Sequence, residues 1–181
     1  MRNPCIMSQR ETQSGPTPVT ERLLALLEAA GANYRVAEHE PAFTSEQAAA
    51  VRGTPPGAGA KALLVKADDA GYALLVIAGS RRVDNARLRQ ALGTRRVRFA
   101  TADELFELIG CRPGAVPPFG ALFGLPVLLD RSLQAVSQAA FNAGSHTVSV
   151  VMDGDDFRRA IAGRPVDVAE VETPTGDGAG W

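Results

Sequence analysis

The feature that most constrains the fold is a pair of apolar runs in the first half of the chain. The sequence KALLVKADDAGYALLVIAG, residues 61–79, has one run on each side of DDAG. Two apolar runs around a short turn sequence predict a β-hairpin. Both runs are apolar at nearly every position rather than at alternate ones. We therefore expect this hairpin to lie in the middle of a sheet that is covered on both faces.

The rest of the chain mixes helical and strand patterns irregularly. Helix N-caps are expected at Thr17, Thr44, Asp84, Thr101 and Asp153. Strands are expected in NYRVAEH, RRVRFA and LPVLLD, and QAAFNAG with HTVSVVM indicates a second hairpin. The mixture predicts one α+β domain over residues 17–170, with a mixed, mostly antiparallel sheet and flanking helices. We expect residues 1–16 to be a disordered leader and residues 171–181 a flexible tail.

Composition excludes several classes of protein. The 181 residues are 45% apolar and 22% charged, as in a soluble globular domain. No apolar run approaches the roughly 20 residues of a membrane helix. No Cys/His cluster has metal-ligand spacing, so we expect neither a zinc site nor a cofactor. The two cysteines are Cys5, in the expected leader, and Cys111, which favours a reduced, cytoplasmic protein without a structural disulfide.

Positive charge is concentrated between residues 81 and 98. This stretch holds seven arginines and one acid, Asp84, although the whole chain has a net charge of −1. Such a basic sector suits a polyanionic partner, and a solvated arginine-rich face is the alternative. Only two of the 19 basic residues are lysines, Lys61 and Lys66, which points to a need for a compact ammonium group. Strand alternation places these two lysines on opposite faces, with Lys66 solvated.

The segment GCRPGAVPPFG, residues 110–120, is unusually rigid and has few large side chains. Pro113 restricts the backbone before Gly114, and two further prolines follow, so the segment loses little entropy when it presents its shape. Gly114 lets a ligand approach bare backbone. The N–H groups of Gly114, Ala115 and Val116 are candidates to polarise a substrate carbonyl. The alternative is a turn-rich connection that only joins a helix to a strand.

Several motifs together resemble one family. GAKALLVK, GCRPGAVPPFG, LPVLLD, NAGSHTVSVVMDGDDF and HEPAFTSEQAA are similar, in this family's order, to segments of the YbaK/ProX aminoacyl-tRNA deacylases. These proteins are related to the editing domain of bacterial prolyl-tRNA synthetases. The resemblance covers roughly residues 17–162. It implies the YbaK fold and a hydrolase that removes a wrong amino acid from tRNA, mainly tRNA for proline. It also implies that a bound water and the substrate's 2′-hydroxyl assist, without a metal or a catalytic triad.

The resemblance also implies roles for particular residues. The backbone at Gly114, Ala115 and Val116 would hold the aminoacyl group, and Lys61 would position the terminal adenosine and its phosphate. The other expected substrate contacts are Phe43, Thr44, Pro118, Asn142, Ser145 and His146. The expected phosphate contacts, besides Lys61, are Arg81, Arg82, Arg95 and Arg96. Aminoacylated tRNA is the expected partner, together with prolyl-tRNA synthetase.

Two other functions stay open at this point. Cys111 lies inside the rigid segment, so it is a candidate thiol nucleophile with His146 or His39 as its base. His39 is also explained as a capping or packing residue, and Phe43 as a core residue. The second alternative is a non-catalytic module that binds RNA or a ligand with the same fold.

Overall fold

Five helices and eight strands form the part of the chain that the computed structural model describes, residues 14–42, 44–68 and 70–170. The helices are α1 (Pro18–Ala29), α2 (Ser45–Arg52), α3 (Asn85–Leu92), α4 (Ala102–Ile109) and α5 (Gly154–Ile161). The strands are β1 (Tyr34–Glu38), β2 (Ala60–Ala67), β3 (Gly71–Ala78), β4 (Val97–Phe99), β5 (Val127–Asp130), β6 (Gln138–Asn142), β7 (Val148–Asp153) and β8 (Arg164–Val166).

The strands are divided between two sheets. One has the order β4-β2-β3-β5-β8, and the other is the antiparallel sheet β1-β7-β6. Four of the six strand pairs among the described residues are antiparallel, and the pairs β3–β5 and β5–β8 are parallel. The α+β class and the mostly antiparallel pairing are confirmed. The prediction of one sheet differs from the structure, in which a bridge between Gly59 and Ala140 links the two sheets.

The β2–β3 hairpin has a hydrophobic core on each face. Leu64, Leu74 and Val76 belong to the larger core, which also contains the alternate side chains of β6 and β7 that face it, such as Phe141 and Val150. Val65 and Leu75 point to the other face and pack in a smaller core under α3. The prediction of a central hairpin covered on both faces is confirmed.

The predicted helix starts are also confirmed. The side chain of each N-cap residue accepts a hydrogen bond from a backbone N–H in the first turn, which satisfies a donor that the helix itself leaves unpaired. These residues are Thr17, Thr44, Asp84, Thr101 and Asp153. Among the described residues, no helix has the length and apolar character that crossing a bilayer requires.

Most of the two expected terminal segments lie outside the part of the chain that the structure describes. Residues 1–13 of the expected leader and the whole expected tail, residues 171–181, lie outside the described residues. Residues 14–16 are described, and the Gly15 N–H donates to Thr147 Oγ1 at 2.8 Å. The sequence patterns did not indicate β8, a three-residue strand that contains Pro165 and lies at the edge of its sheet.

Candidate active site

The rigid segment after α4 begins with a tight turn. Residues 112–115 form a β-turn closed by a hydrogen bond from the Ala115 N–H to the Arg112 carbonyl at 3.0 Å. Pro113 occupies the second position and Gly114, with φ of 89°, the third, as a type II turn requires. The turn therefore uses the Ala115 amide internally. Of the three amides expected to face a ligand, those of Gly114 and Val116 remain.

Three consecutive carbonyls of this loop are held from one side. Their donors lie at the end of β6 and in the turn that follows it, and we call these three residues the carbonyl clamp. Pro113 accepts from His146 Nε2 at 3.0 Å, Gly114 from Asn142 Nδ2 at 2.6 Å, and Ala115 from the Gly144 N–H at 2.8 Å. Because a carbonyl only accepts, His146 Nε2 carries a proton here and the Asn142 amide is oriented with its nitrogen toward the loop.

The amide side of the loop faces the other way. In a planar trans peptide, each N–H points opposite to the carbonyl that precedes it. With the Pro113 and Ala115 carbonyls turned to the clamp, the N–H groups of Gly114 and Val116 point away from it. Neither N–H has an acceptor in the part of the chain that the structure describes. Gly114 is exposed, so its amide is the more accessible of the two.

The clamp is itself fixed by the start of α1. Thr20 Oγ1 donates to the Ala143 carbonyl at 2.6 Å, and Thr17 Oγ1 donates to the Gly144 carbonyl at 3.2 Å. Gly144 has a φ of 86°, and a Cβ added there would lie 2.9 Å from Thr17 Oγ1 and 3.0 Å from Val19 Cβ. Only glycine fits this backbone conformation at this close approach. The turn is therefore held rigidly where it meets the loop.

The loop is anchored below by the larger core. Phe119 packs edge-on against Phe141 and Phe157, with ring centroids 5.4 and 6.0 Å away. Ala115 and Val116 are buried in the same core, and Pro118 is buried as well. Pro118 therefore shapes the loop by packing.

A buried polar network, which the sequence analysis did not identify, supports the clamp. Arg52 is only 7% exposed, and its Nε donates to Ser149 Oγ at 2.9 Å while its Nη2 donates to Asn142 Oδ1 at 2.7 Å. His39 Nε2 lies 2.7 Å from the same Ser149 hydroxyl. Burial lowers the pKa of Arg52 to about 10, so it stays charged at neutral pH. One feature of the sequence could have pointed to this network: Ser149 is a polar residue within the apolar run of β7.

Lys61 is half-buried and bound to backbone carbonyls. Its ammonium donates to the carbonyls of Gly79 at 3.1 Å and Arg81 at 2.6 Å. Burial, and then the charge of Arg82, lower the pKa of Lys61. An ammonium has three N–H donors, so one is left for a ligand. This geometry places Lys61 in a basic group with Arg81 and Arg82.

Lys61 is not hydrogen-bonded to the described residues of the loop. Among the described residues, no hydrogen bond joins its side chain to residues 110–120. The bridge between Gly59 and Ala140 is parallel, so Lys61 and Asn142 each follow it by two residues, about 7 Å of extended chain. The start of β2, with Lys61, therefore lies beside the strand that carries the clamp.

The basic sector is split in space. Lys61, Arg81 and Arg82 lie at one end of β2, while Arg95 and Arg96 lie near its other end, about 20 Å along the strand. Several of these arginines have acidic partners: Arg87 pairs with Asp84 and Asp167, Arg96 with Asp68, and Arg98 with Glu104. The local charge is therefore lower than the sequence count. Arg82 and Arg95 are exposed and have no ion pair among the described residues.

The other expected contacts are placed as follows. Thr44 is exposed and accepts from the Gln47 N–H at 3.1 Å as a helix cap. Ser145 is fully buried, and its Oγ lies 3.3 Å from Thr147 Oγ1. Phe43 lies outside the described residues. Lys66, expected to be solvated, lies 3.5 Å from Glu104 Oε1.

Cys111 is fully buried in the larger core. Burial raises the pKa of its thiol to about 12, which disfavours the thiolate that nucleophilic attack requires. Within the described ranges, no group of three or more His, Cys, Asp or Glu side chains is arranged to hold a metal ion.

Comparison with known proteins identifies the family. The sequence pattern of the Aminoacyl-tRNA editing domain family matches residues 39–160, which include the loop and the clamp. The chain belongs to this family. This chain is similar to the Multifunctional Ser/Thr-tRNA deacylase ProXp-y of Escherichia coli. The two are 36% identical over 143 residues, which are 77% of this chain and 86% of that protein.

Two further matches extend the comparison. The Prolyl-tRNA editing protein ProX of Acetoanaerobium sticklandii is 25% identical over 146 residues, 78% of this chain and 89% of that protein. A crystal structure proposed to be a trans-editing enzyme for prolyl-tRNA synthetase superposes with a TM-score of 0.77 and 25% identity, covering 87% of this chain and all of that one. The resemblance to the YbaK/ProX family is thus confirmed. The editing domain is an aminoacyl-tRNA deacylase, a hydrolase that acts on aminoacyl-tRNA.

Proposed function

We propose that this chain removes a small, wrongly attached amino acid from tRNA, and that the amides of Gly114 and Val116 bind the ester carbonyl. The observation that carries the proposal is the orientation of the loop, whose carbonyls are held by the clamp while these two amides face away from it. Main-chain amides stabilise the negative charge that develops on a carbonyl oxygen under attack. We assign this role to Gly114 first, because it is the more exposed.

The reaction then needs only a positioned water. The water oxygen attacks the ester carbonyl carbon, and the bond to the 3′-oxygen of the terminal ribose breaks. The water proton passes through the neighbouring 2′-hydroxyl to the departing 3′-oxygen, giving the free amino acid and tRNA with an intact 3′-hydroxyl. Positioning and charge stabilisation supply large rate factors without a protein nucleophile. The burial of Cys111 supports this route over a thiol mechanism.

We propose that Lys61, Arg81 and Arg82 bind the phosphates next to the terminal adenosine. They form one basic group at the end of β2 that lies beside β6. Arg95 and Arg96 are about 20 Å away along β2, so we assign them to phosphates further along the acceptor arm. Prolyl-tRNA synthetase is a proposed partner because it charges one candidate tRNA, and we propose that the reaction takes place in the cytoplasm.

Two candidate substrates follow from the relatives. The ProX protein and the trans-editing structure support tRNA for proline that carries a small wrong amino acid such as alanine. The relative with 36% identity is named for Ser/Thr-tRNA, which supports serine or threonine as the amino acid removed. A small apolar pocket excludes large side chains but separates small ones poorly, so both activities are compatible with one site.

A deacylation panel tests the proposal. The substrates are tRNA for proline charged with alanine, serine, threonine, cysteine or proline, and tRNAs for serine and threonine charged with their own amino acids. Release of radiolabelled amino acid is followed over time. We expect hydrolysis of at least one of the small aminoacyl-tRNAs and little of prolyl-tRNA. If every substrate decays at the buffer rate, the proposed substrates are wrong.

The tRNA contacts are tested separately by salt dependence. We expect Lys61→Ala and Arg82→Ala to raise KM and to make KM less sensitive to salt, by about 0.7 in logarithmic slope for each lost phosphate contact. Arg159→Ala is the matched control, because Arg159 is an exposed arginine on α5 that pairs with Asp156. An equal effect of all three variants would mean that net charge alone, and not this group, governs binding.

A further inference from the structure

The polar network behind the clamp contains a buried cation, Arg52, with no acidic partner in the described part of the chain. Arg52 ends α2 and is 7% exposed, and no carboxylate lies within ion-pair distance of it among the described residues. Burying a guanidinium without a counter-ion is unfavourable unless its donors are used in hydrogen bonds. Two of its nitrogens donate to Ser149 Oγ and Asn142 Oδ1. The charge is therefore used to hold these two side chains.

Arg52 is one side chain away from the loop. Asn142 and Ser149 are direct cross-strand partners on β6 and β7, and the guanidinium spans both. The other end of the Asn142 amide donates to the Gly114 carbonyl at 2.6 Å. A hydrogen bond from a charged donor polarises an amide and strengthens the bond at its far end. The chain of contacts thus runs from Arg52 through Asn142 to the peptide that follows Gly114.

Counting protons shows that Arg52 is the donor to Asn142 that does not depend on where the Ser149 hydroxyl points. Ser149 has one hydroxyl proton and two acceptors within reach, Asn142 Oδ1 at 3.0 Å and, in a neutral ring, His39 Nε2 at 2.7 Å. His39 Nδ1 lies 2.7 Å from the Glu40 carbonyl, which only accepts, so the proton of a neutral ring is on Nδ1. Whichever acceptor Ser149 serves, Arg52 still donates to Asn142 Oδ1.

We infer that Arg52 is a positioning residue for deacylation, acting through Asn142 to hold the Gly114 peptide and the amides beside it in their working direction. This inference rests on the proposed function of the loop. Because Arg52 touches the loop only through Asn142, its loss alters the geometry of the reacting groups and not the binding of tRNA. A misplacement of about 1 Å in a catalytic group costs about 100-fold in rate.

A double-mutant cycle tests the inference with the substrate that the wild type hydrolyses best. Arg52→Met, Asn142→Ala and the double variant are compared by kcat and KM. We expect Arg52→Met to lower kcat by about 10- to 100-fold with KM within about 3-fold of wild type. The double variant should be no slower than Asn142→Ala alone, because both changes remove the same support. Multiplying effects, a change confined to KM, or a wild-type kcat would each overturn the inference.

Two controls separate the alternatives. Arg35 is an exposed arginine that donates to the Arg52 carbonyl, so Arg35→Met removes a nearby charge without removing a donor to Asn142 or Ser149. We expect it to retain kcat, and a loss equal to that of Arg52→Met would assign the effect to charge alone. If Arg52→Met does not fold, Arg52→Lys replaces it, because lysine keeps the charge without the forked geometry of the guanidinium. We expect Arg52→Lys to give a kcat between that of Asn142→Ala and that of wild type. A wild-type kcat would overturn the inference. Failure of the proposed function is distinct, because a folded Gly114→Ala variant would then keep the wild-type kcat whatever the Arg52 variants do.

Discussion

Replacing Gly114 with alanine tests the direction of the loop amides most directly. The type II turn needs a positive φ at this residue, and Gly114 has φ of 89°. A Cβ here would lie 3.6 Å from His146 Nε2, an ordinary contact, so sterics alone do not exclude alanine. The cost is in the backbone, about 1–2 kcal/mol for a non-glycine residue in this region. A type I turn avoids that cost by flipping the peptide between Pro113 and Gly114.

Either response is harmful, but to different properties. If the turn is retained, the strain lowers stability by about 1–2 kcal/mol, or roughly 2–8 °C in Tm for a chain of this size. If the peptide flips, the Pro113 carbonyl loses its bond to His146 and the Gly114 N–H turns toward the clamp. Loss of one such amide donor costs about 100- to 1,000-fold in kcat. We expect the flip to dominate, because it replaces a strained residue with a relaxed one.

The assay compares kcat for deacylation with Tm, using Gly124→Ala as the matched control. Gly124 also has a positive φ, 65°, and a Cβ there meets nothing within 4 Å. It lies outside the 112–115 turn, so it should lose similar stability while it keeps its activity. Equal activity of the two folded variants would refute the assignment of the Gly114 amide to the substrate carbonyl.

Three further predictions concern other groups. In a Cys5→Ala background, adding Cys111→Ala should keep kcat within about 3-fold of wild type. With Cys111 present, its thiol should resist thiol reagents until the protein unfolds, because it is buried with a pKa of about 12. Fast labelling of the native protein would contradict this. His146→Phe leaves the Pro113 carbonyl without its donor. We expect it to lower the free energy of unfolding by about 1–3 kcal/mol, measured in urea titrations, and to lower kcat as well. Unchanged values of both would contradict the role of His146 in holding the loop. Hydrogen bonds, first from Arg98, hold the pKa of Glu104 below its usual range, so the stability it contributes is full above pH 5 and declines as the pH falls below about 4. The difference in free energy of unfolding between wild type and Glu104→Gln should therefore narrow as the pH falls. A difference that widens would mean that folding raises the pKa of Glu104 instead of lowering it.

Much of the fold follows from local patterns in the sequence. The β2–β3 hairpin and the five helix caps depend on residues that are close together in the chain, so spacing was enough to predict them. The division into two sheets was not predictable in this way. β1 pairs with β7 across more than 100 residues, and nothing in either segment specifies that pairing. Short edge strands such as β8 carry too few residues for a pattern.

Part of the candidate site was predictable and part was not. The Pro113–Gly114 pair already implies a type II turn, and such a turn uses the N–H of its fourth residue in a hydrogen bond. The sequence therefore could have shown that the Ala115 N–H is not available to a substrate. The arginine count overstated the local charge, because Asp68 and Glu104, which lie outside residues 81–98, pair with Arg96 and Arg98. The Arg52 network joins α2, β6 and β7, and no single segment signals it.

In the proposed site, which is made from main-chain amides, the sequence requirements lie away from the reacting atoms. Every residue except proline has an N–H, so what distinguishes Gly114 and Val116 is that the opposite side of the loop is held. The side chains that determine activity are then the donors to the carbonyls and the groups that orient those donors. Gly144 illustrates this, because a Cβ there would collide with α1 and displace its N–H from the Ala115 carbonyl without approaching a substrate. Variants of the clamp should therefore change kcat.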